Sequence, residues 1–362
     1  MNSNILIIGS TGTLGCKLLN YCKSNKILIH GITCFKNTKK INIQKKKYKI
    51  KNCFSLSLEK EKYNFINYIK INNFKIIYFL DYGSQSLEFL DIILNKNTNL
   101  LLSIANKEML IAGGNFLIKK IKATGNLLIP LDSEHFSLFR INPHNDEIKK
   151  LYITASGGPF YFKKKISLNH VNLDKVLAHP KWKMGINNSI DSSNFINKVL
   201  EIYELSIIYD IDINKIDFLV SREAFVHSVI LYKDNTISLN CFINNMLLTL
   251  IKPLTLIFKT NEIPSKSHEI YQINNFKLEN FNDKRFKIFK YLKKLKKLNH
   301  KQQIKFMLLN NIAHKKYLNN EIKFVHIVDF IINKIEDDEK DINFKSFSDI
   351  LLYIKFIKEK HA

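Results

Sequence analysis

An α/β fold is predicted by three features of the sequence. A short apolar run, Asn4-Ile-Leu-Ile-Ile8, leads straight into a glycine turn, Gly9-Ser-Thr-Gly12-Thr-Leu-Gly15. Further apolar runs of strand length alternate with helix-like segments as far as Leu131, and the chain beyond residue 283 carries helix periodicity alone. The 362 residues are 46% hydrophobic and 24% charged, which suits two or three domains and excludes a disordered tail or a small stapled module. Cys16, Cys22, Cys34, Cys53 and Cys241 form no CxxC pair and are odd in number. Reduced thiols are therefore expected, not a disulfide framework or a cysteine zinc site.

The balance of 56 Lys+Arg against 32 Asp+Glu, a formal charge of +24, raises the question of a nucleic-acid or anionic-membrane partner. The excess is nearly all lysine, and it accompanies abundant Asn, Ile, Phe and Tyr, the residues of A/T-rich codons. Runs such as Lys45–Lys47 and Lys163–Lys165 lack the interleaved glycine or arginine of nucleic-acid modules. Much of the charge reads as compositional bias on solvated faces, with no specific nucleic-acid partner. The longest nearly apolar stretch, Met246–Phe258, is broken by Lys252 and Pro253 and is too short to span a bilayer. The N-terminus passes at once into Ile5–Ile8, leaving no room for a leader segment, so a cytoplasmic protein without membrane association is expected.

Taken in order, Asn4–Ile8 is a buried strand, Cys16–Ser24 a helix with Leu18, Leu19 and Cys22 on one face, and Ile27–Thr33 a second strand. The spacing G-x-x-G-x-x-G between strand and helix allows a tight turn, close backbone approach to a pyrophosphate, and free helix N–H groups aimed at that anion. An NAD site would place a carboxylate after the second strand, but the sequence reads Cys34-Phe35-Lys36-Asn37-Thr38-Lys39-Lys40. That stretch suits the 2′-phosphate of NADP(H), with Lys36 and Asn37 as the contacts; lysine bias is the competing explanation. Ile76–Leu80 and Leu100–Ile104 continue the strands around a helix-like Leu87–Leu94, and Ala105-Asn106-Lys107-Glu108 follows in the crevice where open parallel sheets bind ligands. Lys107 there either neutralises a substrate oxygen or pairs with Glu108 or Asp132.

Leu127–Leu131 is a strand ending in Asp132-Ser133-Glu134-His135. Extended geometry would set Asp132 and Glu134 on one side, as an oxygen pair for Mg²⁺ or Mn²⁺. The same residues also read as a helix N-terminus with Asp132 or Ser133 as cap. Ile153–Phe160 ends in a small-residue turn, Ser156-Gly-Gly-Pro159, able to surround an anion. His179-Pro-Lys-Trp182-Lys-Met184-Gly185 is either a lid over a ligand or a loop built on a buried tryptophan. Asp191-Ser192-Ser193-Asn194 is expected to open a helix whose Asn197, Lys198 and Glu201 share one face. That face can hold a phosphate and a metal, or simply carry a surface Lys198–Glu201 ion pair. Phe218–Val220 is a short strand-like stretch, Val226–Tyr232 and Thr236–Asn240 form a hairpin across Lys233–Asn235, and Thr260–Leu278 is a connector. Arg285–Leu298, Lys301–Leu318, Lys323–Glu336 and Phe344–Lys358 are helices.

These motifs, in this order, resemble the 1-deoxy-D-xylulose 5-phosphate reductoisomerase family. Gly9–Gly15, Ala105–Glu108, Leu131–His135, Thr154–Phe160, His179–Gly185 and Asp191–Glu201 carry the resemblance, which spans roughly residues 4 to 232 and continues more weakly to the end. It implies a Rossmann-like NADPH domain over 1–131, an α+β catalytic and dimerisation domain over 132–258, a connector over 259–282 and a helical domain over 283–362, assembled as a homodimer. It implies Asp132, Glu134 and Glu201 as ligands of Mn²⁺ or Mg²⁺. Ser156, Ser192, Asn197 and Lys198 then match a site for the substrate phosphate, Lys107 and Ser133 match contacts to the substrate oxygens, and His179, Trp182 and Met184 match a flap. The cofactor would lie on Gly9, Thr11, Gly12, Thr13 and Leu14, with Asn106 and Glu108 nearby. The implied reaction converts 1-deoxy-D-xylulose 5-phosphate to 2-C-methyl-D-erythritol 4-phosphate in isoprenoid precursor synthesis. The chain departs from the family pattern at Phe35, at Gly83-Ser-Gln-Ser-Leu87, at Asn187–Asn188, at Val199 and over Cys241–Leu250. A different NADP-dependent oxidoreductase of a phosphorylated aldehyde, an inactive relic, and a binder of nucleic acid or anionic surfaces are the rival readings. The A/T-biased composition points to a bacterium with a reduced genome.

Overall fold

The computed structural model describes residues 4–178, 185–258, 276–281, 283–337 and 344–361. They form two compact units: residues 4–139 with 245–258, and residues 140–244 with those from 276 onward.

The first unit is a six-stranded, wholly parallel sheet in the order β3-β2-β1-β4-β5-β6. Its strands are β1 (Ile5–Ile8), β2 (Gly31–Cys34), β3 (Asn52–Ser55), β4 (Ile76–Phe79), β5 (Leu101–Ile104) and β6 (Leu127–Pro130). Helices α1 (Thr13–Ser24), α2 (Thr38–Tyr48), α3 (Glu59–Ile71), α4 (Leu87–Lys96) and α5 (Lys107–Ala123) make the connections, and α6 (Ser133–Phe139) follows β6. The order reverses between β1 and β4, and a crevice at such a point is where sheets of this kind bind dinucleotides. β1 and β4 are buried along their whole length, as apolar runs without alternation require.

β2 is shorter than the apolar run Ile27–Thr33 suggests. Ile27 is spent on closing α1: Lys26 takes a left-handed conformation and the Ile27 N–H donates to the Cys22 carbonyl at 2.8 Å. The order of α2 and β3 was not legible. A late helix, α10 (Leu247–Ile257), belongs to this unit and packs Leu250, Ile251 and Leu254 on the cluster that contains Ile5, Ile7 and Leu18. The Tyr78 hydroxyl donates to its Leu250 carbonyl at 2.8 Å. Each of these side chains contributes about 1.5–3 kcal/mol by burial, so the apolar stretch after the hairpin has a structural purpose.

The second unit contains β7 (Ile148–Ala155), β8 (Ile216–Val220), β9 (Val226–Tyr232), β10 (Ile237–Cys241) and β11 (Glu279–Asn280) in the order β10-β9-β7-β8-β11. Only the β7/β8 pairing is parallel; β9 and β10 form the expected hairpin. Helices α7 (Leu173–Leu177), α8 (Ile186–Asn194) and α9 (Ile196–Tyr209) lie between β7 and β8. Helices α11 (Ile288–Leu295), α12 (His300–Leu318), α13 (Ile327–Lys334) and α14 (Phe347–His361) follow, each inside or near its expected span.

Arg285 donates to the carbonyls of Phe160, Tyr161, Lys163 and Ile166, and its partner Asp283 also accepts from Lys164. Burial alone would raise the Asp283 pKa, but the hydrogen bonds from Arg285 and Lys164 outweigh it and hold the carboxyl at about 2. Since the unfolded value is about 4, this stabilisation is complete above that pH and disappears as pH falls towards 2. Asp283→Asn should therefore lower Tm by several degrees at pH 7. In thermal unfolding followed across pH, the gap to wild type should narrow between about pH 4 and 2.

Candidate active site

In the first unit, the glycine turn is held from three sides. Gly9 has φ +89°, and a Cβ added there would stand 2.5 Å from the backbone nitrogen of Asp81. Its N–H reaches the Thr33 carbonyl and hydroxyl, both at 3.2 Å. Ser10 donates to Gln44 Oε1 at 2.7 Å and accepts, through its carbonyl, from Gln44 Nε2 at 2.9 Å. Gly12 starts α1 with no side-chain cap, and the first turn carries no acidic residue. The free N–H groups of that turn, beside exposed Thr13 and half-buried Thr11 and Leu14, make a cradle that fits a diphosphate. Lys36 and Asn37 stand exposed just past β2. Lys36 extends over the Phe35 ring, 5.8 Å from its centroid, and Asn37 caps α2 by accepting from the Lys40 N–H at 3.1 Å.

The ends of β4 and β5 are tied together by Asn106. It donates to Asp81 Oδ1 at 3.2 Å and to the Gly83 carbonyl at 2.8 Å, while its Oδ1 caps α5 through the Met109 N–H. Ser86 donates to Asp81 Oδ2 at 2.5 Å, and Glu108 accepts from the Gly83 N–H at 3.5 Å. Burial raises the Asp81 pKa against the opposing pull of Ser86 and Asn106. Asn106 and Glu108 thus shape the turn after β4.

Lys107 donates to Asp132 Oδ2, the pairing that sequence alone left as one of two possibilities. The local geometry at Asp132 corrects the extended reading: Ser133 and Glu134 begin α6, and Asp132 Oδ1 accepts from the Glu134 N–H at 3.3 Å in the manner of a cap. Ser133 donates to the Glu134 carboxylate, and fully buried His135 lies behind, with Nδ1 3.8 Å from Asp132 Oδ1. The first unit therefore presents two carboxylates and an ammonium at the end of β6.

In the second unit, β7 ends at Ala155, and Ser156 precedes a turn in which Gly157 and Gly158 have φ +86° and +57°. A Cβ on Gly158 would sit 2.8 Å from the Ser192 carbonyl, so this turn and the last turn of α8 touch closely. Asp191–Asn194 close α8; they do not open a helix, as the sequence had suggested. Phe195, at φ +67°, separates α8 from α9 because its ring is drawn into a cluster with Phe281, Phe286 and Phe289, at centroid distances of 4.7, 4.9 and 5.4 Å. α9 then presents Asn197, Lys198 and Glu201. Lys198 donates to Glu201 Oε2 at 2.5 Å and Asn197 donates to the same carboxylate. With Glu201 only 1% exposed and Lys198 7%, this is a buried pair and not a surface one. His179, Trp182 and Met184 lie outside the described residues.

Gln44, which braces the glycine turn, was missed because it sits in a lysine-rich run with no motif around it. Its one signal is that it falls on the same helical face as Ile41.

A parallel sheet reversing at an uncapped glycine turn, joined in one chain to a mixed-sheet unit, is the architecture of a dinucleotide-binding α/β protein. Two family models match, the 1-deoxy-D-xylulose 5-phosphate reductoisomerase C-terminal domain over residues 128–209 and the DXP reductoisomerase C-terminal domain over residues 249–359. The 1-deoxy-D-xylulose 5-phosphate reductoisomerase of Pelagibacter ubique (strain HTCC1062) is 31% identical, covering 94% of this chain and 93% of its own. That of Clostridium novyi (strain NT) is 29% identical over 99% of both. A solved DOX-P reductoisomerase in complex with NADPH, fosmidomycin and magnesium superposes with a TM-score of 0.87 at 21% identity, covering 99% of this chain and 97% of that one. The Zymomonas mobilis enzyme in complex with NADPH gives 0.84 at 22%, covering 100% and 98%. The chain belongs to the 1-deoxy-D-xylulose 5-phosphate reductoisomerase family.

Proposed function

We propose that this protein converts 1-deoxy-D-xylulose 5-phosphate to 2-C-methyl-D-erythritol 4-phosphate, using NADPH and a divalent cation, Mg²⁺ or Mn²⁺. The observation that carries the reading is the likeness over 94% of the chain to a relative of that name. Neither the other oxidoreductase reading nor the relic reading is favoured by a specific feature, and the charge matches no nucleic-acid module. No helix among the described residues is long and apolar enough to cross a membrane. A cytoplasmic homodimer is part of this proposal.

The chain's own groups divide the work. The turn Gly9–Leu14 receives the diphosphate on free N–H groups, and Lys36 with Asn37 meets the 2′-phosphate. Asp132, Glu134 and Glu201 are the oxygen ligands of the cation, a donor set that suits a hard ion. Ser156, Ser192, Asn197 and Lys198 hold the substrate phosphate. Lys107 and Ser133 orient the reacting oxygens. Because the phosphate is remote from the carbons that change partners, its binding energy is available for closure and orientation. The cation supplies positive charge opposite the enediolate that develops as a C–C bond breaks and re-forms. NADPH supplies the hydride that reduces the resulting aldehyde.

Turnover should be lost in EDTA, return with added Mn²⁺ or Mg²⁺, and fall sharply when NADH replaces NADPH. Turnover unaffected by chelation would defeat the metal reading. For the cofactor, Lys36→Ala should weaken NADPH binding about tenfold, the size of one partly exposed charge-assisted contact, while NADH binding stays within about twofold. Fluorescence titration of the reduced cofactors measures both.

A further inference from the structure

We propose that His314 is a positioning residue for the phosphate end of the substrate, acting through Asp191; the proposal rests on the reading of Ser156 and Ser192 as phosphate ligands. His314 and Asn310 stand four residues apart on one face of α12 and both meet Asp191 on α8. His314 Nε2 lies 2.9 Å from Asp191 Oδ1, and Asn310 Nδ2 donates to the same oxygen at 2.8 Å. The three side chains are among the most deeply buried polar groups of the second unit, at 1%, 1% and 4% exposure for His314, Asn310 and Asp191. Neither ring nitrogen of His314 has an aligned hydrogen-bond partner among the described residues, and Asn310 Oδ1 has none either, so His314 meets Asp191 by close approach and the cluster is not a fully satisfied network.

A leucine would fill the place of His314 without burying a polar ring, and a buried polar pairing contributes more to fixing one arrangement than to stability. What this pairing fixes is the last turn of α8. Asp191 immediately precedes Ser192, and the Ser192 carbonyl closes against Gly158, two residues after Ser156. A change in the pitch of that helix end displaces the Ser192 hydroxyl and the Ser156 turn together. A helix from the C-terminal part of the chain thereby sets the geometry of groups more than a hundred residues earlier in the sequence, Asn310 and Asp191 being 119 residues apart.

Steady-state kinetics with 1-deoxy-D-xylulose 5-phosphate, and calorimetric titration with inorganic phosphate, test this on the full chain. His314→Leu should raise KM and weaken phosphate binding by about tenfold with kcat within about twofold, the signature of lost substrate positioning without loss of the chemical step. His314→Gln, whose amide nitrogen reaches close to the Nε2 position, should restore both. Should His314→Leu not fold, Asp191→Asn carries the same test with the same expected KM rise. Folded variants of His314 and Asp191 with unchanged KM and phosphate affinity would overturn the proposal, provided that Ser192→Ala weakens phosphate binding. If Ser192→Ala also leaves phosphate binding unchanged, the phosphate-site reading itself fails and this inference falls with it.

Discussion

Glu201→Gln should lower kcat by about a thousandfold or more at saturating Mn²⁺ while the protein stays folded. The substitution keeps shape and one acceptor oxygen but removes the negative charge. Lys198 and Asn197 both donate to this carboxylate, so the amide oxygen can keep only part of the present arrangement. Losing the counter-charge of a buried ammonium reduces stability, and a Tm lower by several degrees is the expected side effect. The two effects separate cleanly: circular dichroism and thermal unfolding report the fold, and single-turnover assays with Mn²⁺ varied over several decades report the site. Apparent metal affinity should fall together with kcat. Near-normal activity would show that Glu201 is not a metal ligand and that its buried pair with Lys198 is purely structural.

Gly9→Ala should remove NADPH binding and lower the stability of the first unit. Two independent costs add. The backbone at φ +89° disfavours any Cβ, and the new methyl would meet the Asp81 backbone nitrogen at 2.5 Å, where no flexible side chain can give way. Left-handed strain of about 1–2 kcal/mol and overpacking of about 1–3 kcal/mol together predict a Tm lowered by roughly 5–15 °C. Relaxation of either kind moves the turn away from Thr33 and Gln44, and with it the N–H groups on which the diphosphate is proposed to rest. Cofactor titration should show at least a hundredfold loss, since several contacts go at once. A variant with wild-type Tm and NADPH affinity would mean that the turn is not the cofactor cradle.

What the sequence revealed and what it concealed follow from how local each signal is. β1, the glycine turn and α1 were legible because apolar run, turn chemistry and helix period all lie within twenty residues. The four late helices were legible for the same reason. α2 was not: only Ile41 and Gln44 of its eleven residues are buried, and its lysines hide the period. β3 escaped because an edge strand with one fully buried residue, Ser55, carries no apolar pattern. Residues 247–257 read as an apolar stretch, and nothing in them says that they return to pack on β1 and α1, a contact some 240 residues away in the chain. The helix also contains Pro253, which argues locally against it.

At the site, the residue types were visible and their geometry was not. Asp132 with Glu134 suggested an extended pair, yet a serine and a glutamate after an aspartate also spell a helix start, and the helix prevailed. Asp191–Asn194 looked like a cap ahead of α9, but Phe195 breaks the chain after them because its ring has a better place among other phenylalanines. Lys198 with Glu201 would have passed for a surface pair; only burial distinguishes the two. His314 and Asn310 offered no sequence signal at all, since their partner lies 119 residues or more away.

The most direct measurement of the central claim is the identity of the product. Purified protein, NADPH, Mn²⁺ and 1-deoxy-D-xylulose 5-phosphate labelled with ¹³C at the two carbons that are to be joined would be followed by NMR. The account predicts one-to-one oxidation of NADPH with appearance of a new ¹³C–¹³C coupling, the mark of the branched 2-C-methyl-D-erythritol 4-phosphate skeleton. NADPH oxidation that leaves the carbon chain unbranched, or no reaction from folded protein that binds NADPH, would contradict it.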